Sequence, residues 1–263
     1  MTKQAILTVS FGTTYAQTRE KTIGATEWAI SQAFPDFDLV RAFTSRIVRR
    51  RIAAKEKINI DDPIVALDKL VDQGYQKVYV VSLHMIPGIE YQRLQQAVKA
   101  FEGRFQCLKL TEPLLVTYGD FQKVATFLSQ QAATCDQGEG ILWMGHGTSD
   151  RAFTTYACLD HMLAGTPSFV GAVESYPHLD DEIKRLRQAE IHQVRLQPMM
   201  LVAGNHAHND MAGAGPDSWQ NQLAQHGIQA QPVLKGLGEY PAIQQLFVNR
   251  LKQILKGGER RAI

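Results

Sequence analysis

The sequence predicts an α/β fold of two similar halves, each a parallel sheet flanked by helices. Three observations support this prediction. Short apolar runs alternate with longer helical patterns, two stretches of the chain are repeated in order, and 263 residues suit two half-domains of about 130 residues each. Strands that alternate with helices form parallel sheets covered on both faces. We therefore expect Rossmann-like halves with an active-site cleft between them.

The individual elements follow from local patterns. Short runs rich in aliphatic residues predict strands at 5–11, 38–43, 77–83, 107–113, 140–145, 168–173, 193–200 and 229–234. Helical periodicity predicts helices at 16–33, 63–73, 91–101, 118–133, 151–163, 179–188, 218–225 and 240–255. The strongly basic segment 41–57 is typical of a solvated helix face.

An internal repeat sharpens the prediction of two halves. Two pairs of stretches match, 5–14 with 140–149 and 78–88 with 194–204. The first match lays Phe11 on His146, and the second lays Glu90 opposite His206. We expect the halves at residues 1–125 and 126–263, with the last helix free to pack on the N-terminal half. The second half carries His146 where the first carries Phe11, so we expect the metal chemistry to belong mainly to the second half.

Three potential metal ligands follow strands of that half. His146, Glu174 and His206 come after separate apolar runs and lie 28 and 32 residues apart, about one strand-helix-strand unit each time. Parallel sheets place ligand sites at the carboxyl ends of their strands. Two imidazoles and a carboxylate hold a divalent ion such as Co, Ni, Fe or Zn while leaving positions open. The sequence therefore predicts an open metal site here.

Neighbouring residues extend this candidate site. Glycines beside both histidines allow a flat ligand to approach the backbone. His208 is a spare ligand or a loop histidine, Asp210 is placed to orient an imidazole, and His84 with Glu90 forms the equivalent loop of the first half.

Composition excludes several classes of protein. A formal net charge of +2 gives no general reason to expect nucleic acid or a membrane surface as partner. The three cysteines lack a C-x-x-C pair, which argues against a disulfide framework or a structural zinc site. No apolar stretch approaches the roughly 20 residues that span a bilayer. We expect a cytoplasmic protein.

The motifs resemble those of the class II tetrapyrrole chelatases, most closely the CbiK-type sirohydrochlorin cobaltochelatases of anaerobic cobalamin biosynthesis. The resemblance runs nearly end to end and rests on the stretches 9–13, 41–45, 82–84, 144–147, 156–162, 171–177 and 198–207. It implies chelatase-type halves, Co(II) as substrate metal, and a sirohydrochlorin or precorrin-2 substrate. It implies no organic cofactor.

The resemblance also assigns roles to residues. The family's two histidines and one glutamate fall on His146, Glu174 and His206. Asn205 departs from the family motif, which usually has Asp before the third ligand. We expect His146 to be both ligand and general base, and Glu174 and His206 to hold the ion. We also expect a catalytic role for His84, which would line the opposite wall and accept protons or relay the metal. The candidates for substrate contacts are Arg41, Arg46, Arg49, Ser10, Phe11 and Gly12.

Other functions stay open at this point. The same ligands suit an iron or nickel chelatase of sirohaem or haem synthesis. A zinc hydrolase would use them to activate water, and a metal- or haem-binding protein would use them without catalysis. The sequence leaves homo-oligomer formation open.

Overall fold

The computed structural model describes residues 2–257, which form two compact units. One unit contains residues 2–114 and 238–257, and the other is Leu115–Leu237. Each unit has a four-stranded parallel sheet. The predicted α/β class and the two similar halves are therefore confirmed.

The N-terminal unit has the strand order β2-β1-β3-β4. Its strands are β1 (Gln4–Ser10), β2 (Asp38–Phe43), β3 (Lys77–Ser82) and β4 (Cys107–Leu110). Its helices are α1 (Ala16–Arg19), α2 (Ala25–Ala33), α3 (Arg46–Glu56), α4 (Pro63–Asp72), α5 (Ile89–Lys99) and α10 (Pro241–Leu255), and a π-helical turn, Glu20–Gly24, joins α1 to α2.

The second unit has the order β6-β5-β7-β8. Its strands are β5 (Glu139–Gly145), β6 (Ser168–Ala172), β7 (Gln193–Pro198) and β8 (Gln229–Pro232). Its helices are α6 (Tyr118–Ala132), α7 (Thr154–Met162), α8 (Leu179–Gln188) and α9 (Trp219–Gln225). Shorter turns are Arg151–Phe153 (3-10) and Ala207–Met211 (π), and a 3-10 turn, Leu237–Glu239, follows β8.

The strand registers confirm the internal repeat. Ala5 of β1 pairs with Val78 of β3, and their counterparts Gly140 and Val194 pair in the same way in β5 and β7. The glycines that the repeat aligns, Gly12 and Gly147, both have a φ of 90°. The two sheets therefore share strand order, register and the turn that follows the first strand.

The division of the chain differs from the expected boundary at residues 125/126. The second unit already begins at Leu115, because this segment leads into α6, which packs on β5 and β6. The final helix α10 belongs to the first unit, where it contacts α2 and β3. Arg250 of α10 also donates to the carbonyl oxygens of Pro113 and Leu114, at 2.9 and 3.1 Å.

Helix α3 lies within the basic segment 41–57, for which the sequence indicated a helix face but no helix bounds. The Ser45 side chain accepts a hydrogen bond from the Val48 amide at the start of α3, and Lys57 ends the helix in the left-handed region with a φ of 61°. Its basic residues had indicated only a solvated helix face.

Among residues 2–257, no helix combines the length and apolar character that a membrane crossing requires.

Candidate metal centre

The candidate ligands lie beyond the carboxyl ends of the three strands β6, β5 and β7, which are adjacent in the sheet. His146 follows β5 directly, Glu174 lies two residues after β6, and His206 follows β7 at the start of the π turn. Parallel strands bring their carboxyl ends to one edge of the sheet. The topology therefore brings together residues that are far apart in the sequence.

The three side chains converge as the spacing predicted. One ligand atom from each of His146, Glu174 and His206 lies within 4.8 Å of the others. The imidazole rings of the two histidines are 4.4 Å apart between centroids, edge to face, and His146 Nδ1 lies 3.6 Å from Glu174 Oε2. The side chains stay 44%, 53% and 29% exposed, respectively. Solvent can therefore deliver an ion to them.

Backbone contacts hold the first two ligand loops together. The Glu174 amide donates to the carbonyl oxygen of His146 at 2.9 Å. Gly147 allows this approach, because a Cβ at its position would lie 2.7 Å from the Ser175 nitrogen and 2.8 Å from the Glu174 nitrogen. The Ser175 hydroxyl also accepts from the Thr148 amide, at 3.3 Å.

Tyr156 of α7 packs against the loop that carries His146. Its ring packs so closely on Gly145 that a Cβ there would come within 2.3 Å of the ring. Burial raises the pKa of Tyr156 to about 12, although backbone hydrogen bonds at Gly147 and His146 act in the opposite direction. The phenol is thus a buried, neutral anchor for the chain around His146.

The two histidines have different partners at Nδ1. His206 Nδ1 is 2.7 Å from Asp210 Oδ2, four residues along the π turn. His146 Nδ1 is 3.0 Å from the carbonyl oxygen of Gly147. In both rings, these contacts favour a proton on Nδ1 and leave Nε2 as the nitrogen available to a metal. His208, considered as a spare ligand, is outside the converging group.

His84 is shielded in the N-terminal unit. Its Nδ1 is 2.9 Å from Ser82 Oγ, and its Nε2 is buried with no hydrogen-bond partner among the described residues. Burial lowers the pKa of His84 to about 4. Glu90 forms an ion pair with Arg93, at 2.7 Å. The catalytic role expected for His84 stays a prediction.

The predicted substrate contacts differ in how accessible they are. Arg41 is already engaged, because its Nε lies 3.0 Å from both carboxylate oxygens of the buried Glu27. Arg46 is exposed at the start of α3, and Arg49 pairs with Asp62, at 3.2 Å. In the β1 loop the Ser10 side chain is buried and its hydroxyl lacks a hydrogen-bond partner among the described residues, Phe11 is 47% exposed, and Gly12 packs against the Phe43 ring.

Sequence reasoning missed a buried acidic network beneath β6. Arg185 of α8 pairs with Asp160 and with Glu182, the latter at 2.8 Å, and Asp160 also accepts from the Val170 amide at 3.0 Å. Burial, and then the charge of Asp160, raise the pKa of Glu182 to about 8. These residues had no distinguishing local motif, because their association depends on how α7 and α8 pack.

Comparisons with known sequences identify relatives of this chain. The family model described as cobalt chelatase (CbiK) matches residues 4–256. The sirohydrochlorin cobaltochelatase of Salmonella typhimurium is 47% identical over 255 residues, which cover 96% of this chain and 97% of that protein. Sirohydrochlorin cobaltochelatase CbiKC of Nitratidesulfovibrio vulgaris is 34% identical over 95% of this chain and 90% of its own length.

Solved structures share the fold at low sequence identity. SirB from Bacillus subtilis, solved with Fe3+, has a TM-score of 0.62 and 12% identity, with 95% of each chain covered. CbiX, described as the terminal enzyme for biosynthesis of siroheme in denitrifying bacteria, has a TM-score of 0.56 and 17% identity over 95% of this chain and 98% of its own.

Proposed function

The chain belongs to the cobalt chelatase (CbiK) family, and on that premise we propose that it inserts Co(II) into sirohydrochlorin. The reaction replaces two pyrrole N–H protons of the macrocycle with one metal ion bound by four ring nitrogens. A catalyst must therefore present the ion to the macrocycle, accept two protons, and release the ion from the protein side chains that bind it.

The convergence of His146, Glu174 and His206 is the observation that carries this proposal. Their ligand atoms lie within 4.8 Å of one another. Imidazole and carboxylate bind divalent first-row metals, and the group includes no thiolate that would retain a soft ion. Three protein ligands leave open positions on the metal, as catalytic sites require. An exposed set of this kind suits delivery of an ion better than permanent storage.

His146 is the candidate proton acceptor. Its ring is more exposed than that of His206, and its Nδ1 partner is an uncharged carbonyl oxygen. An imidazole exchanges protons near neutral pH. As the macrocycle takes over the metal, His146 releases the ion and accepts one pyrrole proton, the second pyrrole proton passes to the solvent that reaches this exposed site, and Glu174 and His206 keep the ion placed.

Peripheral carboxylates of the substrate need cationic or hydrogen-bonding partners. Guanidinium groups pair with carboxylates in two-point geometry. Arg46 is the most accessible of the predicted arginines, whereas Arg41 and Arg49 already pair with Glu27 and Asp62. We propose Arg46 as the first residue to test for this role. Ser10, Phe11 and Gly12 stay proposed substrate contacts.

An anaerobic insertion assay tests the function. The purified protein is mixed with sirohydrochlorin and Co(II), and insertion is followed by absorbance. We expect a rate above the uncatalysed rate, loss of that rate in His146→Ala, and retention in His192→Ala, a matched change at an exposed histidine of the same unit. Binding of Co(II) and sirohydrochlorin without acceleration would contradict the proposal and favour a non-catalytic binding protein.

The same assay compares metals and substrates. Fe(II) and Ni(II) satisfy the same ligand types, so parallel reactions measure whether Co(II) gives the highest kcat/KM. Precorrin-2 replaces sirohydrochlorin in a second series. Higher kcat/KM with Fe(II) would reassign the protein to iron insertion, and hydrolysis of an ester or amide would instead indicate a zinc hydrolase.

A further inference from the structure

Asp210 has a contact with the candidate metal centre that its sequence position alone does not establish. Its Oδ2 lies 2.7 Å from Nδ1 of His206. The π turn Ala207–Met211 makes this contact possible, because it places the two side chains four residues apart on one face. Ala207 and Met211 are fully buried and fix the turn in the core of the second unit.

The two imidazoles of the centre therefore have unequal environments. His206 Nδ1 lies at hydrogen-bond distance from a carboxylate, whereas the hydrogen-bond partner of His146 Nδ1 is the neutral carbonyl oxygen of Gly147, at 3.0 Å, and the Glu174 carboxylate lies farther away, at 3.6 Å. A carboxylate is the stronger acceptor, and hydrogen bonds to it are shorter and stronger than those to a neutral oxygen.

We infer that Asp210 is a positioning residue that fixes the tautomer and orientation of His206, making it the anchoring ligand of the ion. This inference rests on the proposed metal-delivery function of His146, Glu174 and His206. The carboxylate keeps the His206 proton on Nδ1, directs Nε2 toward the ion, and strengthens it as an electron donor. Within the described part of the chain, no carboxylate lies within hydrogen-bond distance of His146 Nδ1, since the nearest one, Glu174 Oε2, lies 3.6 Å away and belongs to a candidate ligand. His146 is therefore the ligand that detaches.

The neighbouring pair on the same turn provides an internal comparison. Asn209 Nδ2 donates to Asn205 Oδ1 at 2.9 Å, again over four residues. Both asparagines are exposed, and the hydrogen bond between them involves no imidazole. Truncating Asn209 removes a side-chain hydrogen bond from the same turn without removing either partner of the contact between His206 and Asp210.

The test measures Co(II) binding to the metal-free protein, independently of turnover. Visible absorbance and calorimetry give the Kd of wild type, Asp210→Ala, Asp210→Asn, Asn209→Ala and His206→Ala. Loss of a carboxylate behind a ligating histidine weakens metal binding by about 10- to 100-fold. We expect this loss in Asp210→Ala, a smaller loss in Asp210→Asn, which retains an oxygen acceptor, and a Kd within about twofold of wild type in Asn209→Ala.

Nitrogen-15 NMR of the imidazoles adds a readout that a purely structural role would not change. In metal-free wild type, His206 should carry its proton on Nδ1, and Asp210→Ala should shift the ring toward a mixture of tautomers while His146 stays unchanged. Should Asp210→Ala fold poorly, Asp210→Asn provides the same comparison, since it preserves side-chain volume.

The outcomes separate this inference from the proposed function. A Kd for Asp210→Ala equal to that of wild type, with binding lost in His206→Ala, would overturn the role of Asp210 and leave the metal centre standing. Wild-type binding in both His206→Ala and His146→Ala would overturn the metal centre itself, and the role of Asp210 with it.

Discussion

The peptide N–H of Glu174 donates to the carbonyl oxygen of His146 at 2.9 Å. Two candidate metal ligands are thus joined through their backbones as well as through the ion that they would share. The equivalent bond in the N-terminal unit runs from the Ser45 amide to the Phe11 carbonyl oxygen, at 3.3 Å. The repeated fold supplies the bond in both units, and only the second has ligating side chains on either side of it.

Gly147→Ala should disrupt the backbone hydrogen bond between Glu174 and His146. Its φ of 90° strains any other residue, and the added Cβ would lie 2.7 Å from the Ser175 backbone nitrogen. We expect a loss of unfolding free energy of more than about 2 kcal/mol together with weaker Co(II) binding, measured by urea denaturation and by calorimetry.

Gly165→Ala is the matched control for this substitution. Gly165 has a similar φ of 83° in the same unit, but nothing lies within 4 Å of the position that an added Cβ would take. The Gly165→Ala variant should lose about 1 kcal/mol of unfolding free energy, which comes from backbone strain alone. Its Co(II) binding should be unchanged. Equal effects of the two substitutions would show that the contact of Gly147 with the Glu174 loop is unimportant.

Tyr156→Phe should loosen the loop that carries His146. The variant keeps the ring that packs on Gly145 but removes the oxygen that hydrogen-bonds to the backbone at Gly147 and His146. Leaving buried backbone groups without their partner costs about 1–3 kcal/mol. We expect this loss of stability, and a lower kcat for insertion, in thermal unfolding and rate measurements.

Tyr118→Phe, at a tyrosine that is 68% exposed at the start of α6, controls for the loss of a hydroxyl. It should behave as wild type in both measurements. A Tyr156→Phe variant with wild-type stability and kcat would show that the phenol oxygen does not hold the loop.

His84 should make stability depend on pH on the acid side. Its pKa is lowered to about 4 by burial, whereas an unfolded histidine has a pKa of about 6.5. Between these values the unfolded chain binds the extra proton, so stability is lost as the pH falls from about 6.5 to about 4. The loss is on the order of 3 kcal/mol, since each pKa unit corresponds to about 1.4 kcal/mol.

His84→Gln should therefore flatten urea-unfolding stability across this pH range, relative to wild type. His192→Gln, at an exposed histidine, is the matched comparison. An unchanged pH dependence in His84→Gln would mean that the ring is hydrated and accessible, which would strengthen the case for its expected catalytic role.

Glu182 should make the folded protein less stable as the pH rises. Its pKa rises from 4.5 to about 8 through burial and the charge of Asp160. The native state then binds the extra proton, so stability falls as the pH rises from about 4.5 to about 8, and no further above that. Glu182→Gln mimics the protonated form and should lose less stability over this range, by a few kcal/mol.

Melting temperatures at pH 5 and pH 9 measure this difference. Asp180→Asn, at an exposed carboxylate near the start of the same helix, is the control. Parallel pH dependence of wild type and Glu182→Gln would show that Glu182 is already ionised at pH 5 in the folded protein.

The strand ends and the positions of the candidate ligands were predictable because their signals are local. Each of His146, Glu174 and His206 follows an apolar run, and a parallel topology then brings them to one edge of a sheet. The internal repeat was likewise visible in the sequence, because the matching stretches align Gly12 with Gly147. The structure confirms this match, since both glycines have a φ of 90°.

Contacts that depend on packing were not predictable. Arg41 was a candidate for substrate carboxylates, but the fold places it against the buried Glu27 of α2, fourteen positions away. The support of the His146 loop by Tyr156 depends on where α7 crosses the sheet. The sequence indicated that Asp210 could orient an imidazole, but the π turn that brings it to His206 has no sequence signature comparable to a helix cap.

Anomalous diffraction from crystals soaked with Co(II) tests the central claim most directly. We predict one strong cobalt peak coordinated by an imidazole nitrogen of His146, an imidazole nitrogen of His206 and a carboxylate oxygen of Glu174, at about 2.0–2.2 Å, the range found for zinc with such ligands. A cobalt peak elsewhere, with these three side chains uncoordinated, would contradict the account.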